Sequence, residues 1–228
     1  MAKQLLMLTI GQSPRTDVAP IIEENLGPDS QLRQIGALDG LSETEIKERI
    51  SPHNVDQHDH YLLTSRLNNG HSVVMLRSKL QPLIQAKIDE AEAQGFTTIF
   101  LLCTGMFPGL NTRQINLVEP DLIIPPIVKM IVGDHRLGVI VPLKEQLAMD
   151  SQKYKKAGLK PIYDFASPYA DDERHFQEVA HRMGPKVDYI LMDCMGFNEH
   201  WRQIVSKESG KVVILSNALI AKVLSEFI

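Results

Sequence analysis

The chain has 228 residues, enough for one large or two small domains, and 43% of them are hydrophobic, too many for a disordered protein. Its formal net charge is −4 with both signs spread along the chain, so no basic stripe indicates nucleic acid and no polybasic block indicates a membrane surface. Two cysteines in a chain of this size do not make a disulfide framework, so we expect reduced thiols in the cytoplasm.

The first half begins with an apolar run, 4–10, that predicts a strand. This run stops at Gly11, which argues against a signal peptide. No apolar run in the sequence reaches the length of a membrane span. The loop "GQSPRT" follows. A helix is predicted from about Asp17 to Gly27, because Pro20 fits only a first helical turn. The capping box "SETE" opens a short helix at 42–45.

Asn69-Gly70, between two β-rich arms, predicts a hairpin over 61–76. Pro82 then predicts the start of a helix that ends at Gly95, and 97–103 is a buried strand because it is apolar on both faces. Residues 120–133 are expected to be helical in spite of their prolines, as one helix or two.

The second half continues the alternation of strands and helices. The pattern predicts a strand at 136–142, a helix at 143–158, a strand and loop at 160–169, a helix at 172–184, a strand at 187–194, a helix at 199–210, a strand at 211–216 and a closing helix.

This alternation is typical of an α/β fold with mostly parallel strands. The two halves also repeat one pattern: the strand and loop at 4–27 resemble those at 136–158, and the strand ending at Cys103 resembles the one ending at Cys194. We therefore predict two pseudo-symmetric α/β subdomains with a ligand cleft between them. Their predicted extents are 1–130 plus 215–228, with the hairpin as an insertion, and 131–214.

The only two cysteines, Cys103 and Cys194, occupy the same local frame: each closes an apolar strand and stands two residues before a glycine. Ligands of parallel sheets bind outside the carboxyl ends of the strands, so both thiols are candidates for acid/base chemistry in one cleft. A following helix start would favour the thiolate. The N–H groups of the two pairs that follow the cysteines would hold a carboxylate; these pairs are Thr104-Gly105 and Met195-Gly196. The alternative is that both cysteines only pack in the core.

Eight stretches, in this order and over nearly the whole chain, resemble the AroM family: "LTIGQSPRTD", "LDGL", "LCTGMFP", "LVEPD", "LGVIVPLKEQ", "SPY", "LMDCMGF" and "LSNALIA". That family in turn resembles the aspartate/glutamate racemase superfamily. The resemblance implies two α/β domains, no cofactor, and one cysteine from each domain that takes or gives the proton at the α-carbon of a small carboxylic acid. By this resemblance Cys103 and Cys194 match the two catalytic positions.

The residues after the cysteines depart from the racemase pattern, which has Asn-Thr or Thr-His there. This departure argues against amino-acid racemisation itself, and an isomerase, decarboxylase or hydantoin-type reaction stays open. Two hypotheses follow: a cofactor-independent enzyme acting on a small carboxylic acid or amino-acid derivative, or a non-catalytic metabolite-binding or regulatory protein with the same fold.

Further candidates lie in the loops after the first strand of each half. In the first loop, Arg15 is expected to hold a carboxylate by its two-pronged guanidinium, and Ser13 to donate to it; Gly11 and Gln12 share the loop. Pro142, followed by Glu145 and Gln146, is the corresponding position in the second half. A solvated loop and a simple helix start are the alternatives.

Other polar residues have ordinary explanations. Asp193 either acts on Cys194 or points away from it, and Ser216-Asn217 is expected to cap the last helix. The histidines His53, His58 and His60 lack a partner ligand at metal-site spacing, so we expect no metal there. No Gly-rich phosphate loop is present, so no nucleotide cofactor is expected. The hairpin is expected to shield the cleft or to make a homodimer contact.

Overall fold

The computed structural model describes residues 3–52, 61–148 and 151–228. The strands, in chain order, are β1 (Lys3–Thr9), β2 (Ser30–Gly36), β3 (Leu62–Arg66), β4 (Ser72–Leu76), β5 (Thr98–Leu102), β6 (Asn116–Val118), β7 (Leu137–Val141), β8 (Ile162–Phe165), β9 (Tyr189–Met192) and β10 (Val212–Leu215). The α-helices are α1 (Ala19–Glu23), α2 (Glu43–Arg49), α3 (Arg77–Ala93), α4 (Pro120–Val132), α5 (Ser151–Lys156), α6 (Glu173–Met183), α7 (Glu199–Ser209) and α8 (Ser216–Leu224). Two short 3-10 helices cover Lys144–Ala148 and Gly184–Lys186.

The structure confirms the predicted α/β fold with mostly parallel strands. Two four-stranded sheets, each parallel throughout, have the orders β2-β1-β5-β6 and β10-β9-β7-β8, and β3 pairs with β4 as a separate antiparallel hairpin. Read in the opposite direction, the second order is β8-β7-β9-β10. The strand pairs β1 and β7, and β5 and β9, therefore occupy equivalent places, as the predicted repeat requires.

The chain divides into two compact units, one made of Met1–Pro120 with Ala221–Ile228, the other of Asp121–Ile220. Each unit contains one of the parallel sheets. The predicted subdomain extents, 1–130 plus 215–228 and 131–214, stay a prediction.

The central strands form because they are apolar on both faces. Ile99, Phe100 and Leu101 of β5 have no exposed surface, and neither do Val139, Ile140 and Val141 of β7. In the second unit, the core continues from the sheet onto α6 and α7, where Trp201 stacks on Phe176 with ring centroids 4.1 Å apart. The central strands are therefore buried on both faces, and the candidate loops follow at their carboxyl ends.

Three helices differ from their predicted bounds. Helix α1 is shorter than the predicted 17–27. A turn precedes it, and after it the N–H groups of Asn25 and Leu26 donate to the Ile22 carbonyl in turns. Helix α3 begins before Pro82, which lies inside it; Ser78, whose carbonyl loses its partner to the proline, is exposed to water. The predicted helix at 143–158 is a 3-10 helix followed by α5.

Other predicted elements are confirmed. Residues 120–132 form one helix, α4, that contains Pro125 and Pro126. The capping box of α2 is complete, with Ser42 accepting from the Glu45 N–H while the Glu45 side chain accepts from the Ser42 N–H. Two edge strands, β2 and β6, have no counterpart among the predicted elements. Within the described parts of the chain, no helix has both the length and the apolar character needed to cross a membrane.

Candidate functional site

In each unit, the candidate loops follow the two central strands of the sheet. In the first unit, β1 connects to β2 on one side, whereas β5 lies on its other side. The loop that begins at Gly11 follows β1, and Cys103 follows β5. Parallel sheets bind ligands at such a point of reversal, outside the carboxyl ends of the strands. In the second unit, Pro142 after β7 and Cys194 after β9 occupy the same two places.

The Cys103 turn is closely packed. Cys103 is buried, with 7% of its surface exposed, and its Sγ accepts a hydrogen bond from the Gly105 N–H at 3.2 Å. The next N–H, of Met106, donates to the Tyr61 hydroxyl at 3.1 Å. A Cβ on Gly105 would lie 2.5 Å from Cδ2 of Leu63, so a larger residue there would displace the hairpin side chain.

The Cys194 turn repeats this geometry with different supports. Cys194 is 8% exposed, and its Sγ accepts from the Gly196 N–H at 3.5 Å. The Asn217 side-chain amide donates to the carbonyls of Met195 and Phe197, and so holds the turn from α8. A Cβ on Gly196 would lie 2.5 Å from the Tyr169 hydroxyl oxygen. Each thiol thus has one backbone donor two residues ahead and an aromatic ring against its glycine.

The predicted helix start behind each thiol is wrong. After Cys103 the chain runs through an irregular loop into β6, and after Cys194 the helix α7 begins only at Glu199, with Asn198 as its N-cap. Neither cysteine is therefore followed directly by the first turn of a helix. The glycine N–H groups, which we predicted as donors to a ligand carboxylate, face the sulfur atoms instead.

Arg15 is buried and bonded within its own unit. Its Nε and Nη2 each donate to an Asp17 carboxylate oxygen at 2.9 Å, and Nη1 donates to Thr9 and Ser65 hydroxyls at 3.3 and 3.1 Å. Burial raises the pKa of Asp17, but the hydrogen bonds and charge of Arg15 outweigh burial and bring that pKa below its ordinary value. The guanidinium prongs predicted to hold a ligand carboxylate thus hold the carboxylate of Asp17.

The other polar side chains of the first loop tie it to neighbouring segments. Ser13 donates from its hydroxyl and its N–H to the two oxygens of Asp39, at 2.6 and 2.7 Å. Gln12 donates to the Leu41 carbonyl at 2.9 Å and accepts from the Asn68 N–H at 3.0 Å. Asp39 belongs to the "LDGL" stretch, so this contact joins two stretches that are separate in the sequence.

The hairpin is confirmed and lies against both loops of the first unit. It turns at Asn69-Gly70, where Gly70 has a φ of 90°, and the Leu67 N–H donates to the His71 carbonyl at 2.8 Å. A Cβ on Gly11 would collide with the Ser65 side chain, just as one on Gly105 would meet Leu63. The hairpin therefore covers the carboxyl ends of β1 and β5. Its contribution to a homodimer stays a prediction.

The second unit contains a buried ion pair that the sequence patterns did not single out. Lys153 Nζ lies 2.5 Å from Asp193 Oδ2, and the two side chains are 3% and 1% exposed. Asp193 directly precedes Cys194. Lys153 belongs to a helix that also contains Lys155 and Lys156, both exposed, so nothing in the local sequence distinguishes the buried lysine.

Several other predictions have a plain outcome. Ser216 and Asn217, which were expected to cap α8, are its first two residues, and their side chains reach Asp193 and the Cys194 turn. Pro142 is buried at the end of β7, and Gln146 is 5% exposed. His53, His58 and His60 lie outside the described residues. Among residues 3–52, 61–148 and 151–228, no three His, Cys, Asp or Glu side chains are grouped to hold a metal ion.

Comparison with known proteins gives one family match and several structural matches. The family model described as AroM protein matches residues 5–228. Allantoin racemase from Klebsiella pneumoniae is similar with a TM-score of 0.63 and 12% identity, over 98% of this chain and 86% of that one. The Picrophilus torridus aspartate racemase has a TM-score of 0.60 and 12% identity, over 98% and 93%.

The maleate isomerase Iso from Pseudomonas putida S16 is also similar, with a TM-score of 0.56 and 12% identity over 98% of this chain and 91% of that one. No curated protein matches the chain. At this level of identity, the structural matches establish the fold.

Proposed function

Since the chain belongs to the AroM family, and its fold is shared with racemases and an isomerase, we propose that it is a cofactor-independent enzyme of the racemase or isomerase type. Its substrate is a small carboxylic acid or amino-acid derivative. Cys103 and Cys194 are the two acid/base groups. The observation that carries this proposal is the contact from a glycine N–H to each thiol, two residues ahead of it, at equivalent places in two sheets of the same strand order.

In the proposed reaction, one cysteine acts as a thiolate and removes the proton from the carbon next to the substrate carboxylate. The C–H bond breaks, an S–H bond forms, and the electron pair moves onto the carboxylate. The other thiol then gives its proton to the opposite face of the same carbon, so the two cysteines exchange protonation states. The proposal requires both sulfur atoms to reach one carbon.

The glycine N–H groups fit this use of the thiols. A hydrogen bond from Gly105 or Gly196 to Sγ is stronger when the sulfur is anionic, so it favours the thiolate in each turn. The remaining residues of the proposed binding site are Gly11, Gln12, Ser13, Arg15, Thr104, Pro142 and Met195. Of these, the polar loop residues act chiefly by holding the loop in place through the contacts described above.

A second candidate is a metabolite-binding protein without catalysis. The observation that favours it is that the Arg15 guanidinium is engaged by Asp17 and the Ser13 hydroxyl by Asp39, which leaves less of the first loop to orient a substrate. Ligand binding to the folded state would then raise the melting temperature without any chemical change in the ligand.

One experiment separates the two candidates. A panel of small chiral carboxylic acids and hydantoin-type compounds is screened by thermal shift, and each binder is incubated in deuterated water with the protein. The proposal predicts deuterium at the carbon next to the carboxylate with the wild type, slower exchange with Cys103→Ser and with Cys194→Ser, and a loss of at least about a hundredfold with the double variant.

Slow deuterium incorporation by a single variant is consistent with the proposal, because the one remaining base can still exchange the proton. Full exchange in both single variants would remove the cysteines from the mechanism. Binding without exchange by the wild type would favour the second candidate.

A further inference from the structure

The two thiols share a backbone geometry but differ in the residue that precedes them. Leu102 stands before Cys103 and is 1% exposed, so the first thiol follows an apolar side chain. Asp193 stands before Cys194 and is 2% exposed, so the second thiol follows a buried carboxylate. Consecutive Cα atoms are about 3.8 Å apart. The buried carboxylate of Asp193 is thus one residue away from the Cys194 thiol, whereas the residue directly before Cys103 is uncharged.

Lys153 is the cation that accompanies this carboxylate. Its Nζ lies 2.5 Å from Asp193 Oδ2, and the Ser216 hydroxyl donates to Oδ1 at 3.4 Å. The backbone of Asp193 is also held, since its N–H donates to the Ile140 carbonyl at 2.8 Å. Removing two charges from water is expensive, and an apolar pair of similar volume would often be as stable. A role in stability alone gives no reason for this pair to stand beside Cys194.

A third ionisable group lies at the start of α4. Asp121 Oδ1 is buried and has no hydrogen-bond partner among the described residues. Burial raises the pKa of Asp121 to about 6, the charges of Lys153 and Lys156 lower it, and the charge of Asp193 raises it. The charged groups of this cluster are thus Asp121 from α4, Lys153 and Lys156 from α5, and Asp193, while α8 adds the uncharged Ser216.

We propose that Lys153 is a positioning residue for Cys194: it neutralises the carboxylate next to the thiol and so sets the pH range in which Cys194 is a thiolate. The assignment of a catalytic role to that thiolate rests on the proposed function, but the charge effect does not. A consequence is that the two thiols are chemically unequal, although each accepts from the N–H of the glycine two residues ahead.

The physical argument gives a sign for each substitution. Lys153→Met removes the buried positive charge of the cluster, so the negative charge of Asp193 opposes a second negative charge on Cys194. Asp193→Asn removes a negative charge instead, so the positive charge of Lys153 favours the thiolate. The double variant Lys153→Met/Asp193→Asn has neither charge, and Lys153→Arg retains both.

The test measures iodoacetamide alkylation of each cysteine against pH, with the two cysteine-containing peptides quantified separately by mass spectrometry. For Cys194, the midpoint pH should rise by about one unit in Lys153→Met and fall by about one unit in Asp193→Asn. It should stay near the wild-type value in the double variant and in Lys153→Arg. Cys103, in the same protein sample, is the internal control, and its midpoint should move less than that of Cys194.

Unchanged Cys194 midpoints in both single variants would overturn the inference. So would equal shifts of Cys103 and Cys194, because these would indicate general loosening of the fold. If a single variant does not fold, Asp121→Asn decides, since it removes a negative charge without breaking the ion pair: the Cys194 midpoint must fall, and a constant midpoint refutes the inference.

The proton-exchange assay on the same proteins separates this inference from the proposed function. Shifted midpoints without exchange by the wild type would leave the inference standing and remove the catalytic role. Exchange by the wild type with unchanged Cys194 midpoints would leave the proposed function standing and overturn the inference.

Discussion

Gly196→Ala tests whether the Cys194 turn is held by the close approach of Tyr169. The added Cβ would lie 2.5, 2.7 and 2.8 Å from the hydroxyl oxygen, Cζ and Cε1 of Tyr169, whereas carbon atoms in contact prefer about 3.5–4.0 Å. The ring is rigid, so it must move as a whole by about 1 Å. Overpacking of this kind destabilises a protein by about 1–3 kcal/mol. The backbone at Gly196 is not in the left-handed region, so alanine adds no conformational strain.

The assay is urea unfolding followed by the fluorescence of Trp201, the only tryptophan, which is 5% exposed and lies in the same unit. Gly196→Ala should lower the free energy of unfolding by about 1–3 kcal/mol in the wild-type background, but by less than about 0.5 kcal/mol in a Tyr169→Ala background, where the clash is absent. Ala170→Ser, at an exposed neighbouring position, is the matched control and should change stability little. Equal losses in the two backgrounds would refute the steric reasoning.

Three further predictions concern ionisation and capping. The pKa of Asp121 is raised to about 6, so the native state keeps this proton to a higher pH than the unfolded chain. The wild type should therefore lose stability relative to Asp121→Asn as the pH rises from about 4 to 6. Parallel urea titrations of the two proteins check this. Hydrogen bonds from Arg136 lower the pKa of Asp188, so the stabilising contribution of the Asp188 carboxylate is complete above about pH 5 and is lost on acidification. The difference in unfolding free energy between wild type and Asp188→Asn should therefore shrink towards zero in acid. A difference that stays constant with pH would contradict this prediction. Ser42→Ala should cost about 1 kcal/mol of unfolding free energy through loss of the α2 capping box, and Ser42→Asp should retain most of it.

The parts of the fold that follow from local sequence were predictable. The strands β5 and β7 are continuous apolar runs, and Asn69-Gly70 has the backbone freedom that a hairpin turn needs. The common frame of the two cysteines is also local, since it depends only on a strand end and a glycine two residues later.

Elements held by distant partners were not predictable. Helix α3 begins at Arg77 because the Arg77 N–H donates to the Tyr61 carbonyl, a contact that no helix-start pattern contains. The edge strand β2 is rich in polar residues, and its pairing with β1 is what makes it a strand. Likewise, the role of Arg15 depends on a neighbour, Asp17, and on Ser65 of the hairpin.

The position of Lys153 shows the same limit within the candidate site. Its helix carries three lysines within four residues, and only the tertiary structure decides which one is buried against Asp193. The pairing of a charged side chain across forty residues of sequence has no local signature.

The discontinuous first unit has a consequence for the order in which the protein is made. Ala221–Ile228 belong to the unit that contains the N-terminal sheet, and within this segment Ala221 and Leu224 have no exposed surface. The ribosome adds residues from the N-terminus at about 5–20 per second, so the first unit must wait for more than a hundred later residues before its last apolar side chains can be buried. The second unit is continuous and emerges whole during that interval. The half of the molecule that is synthesised first is thus the half that is completed last.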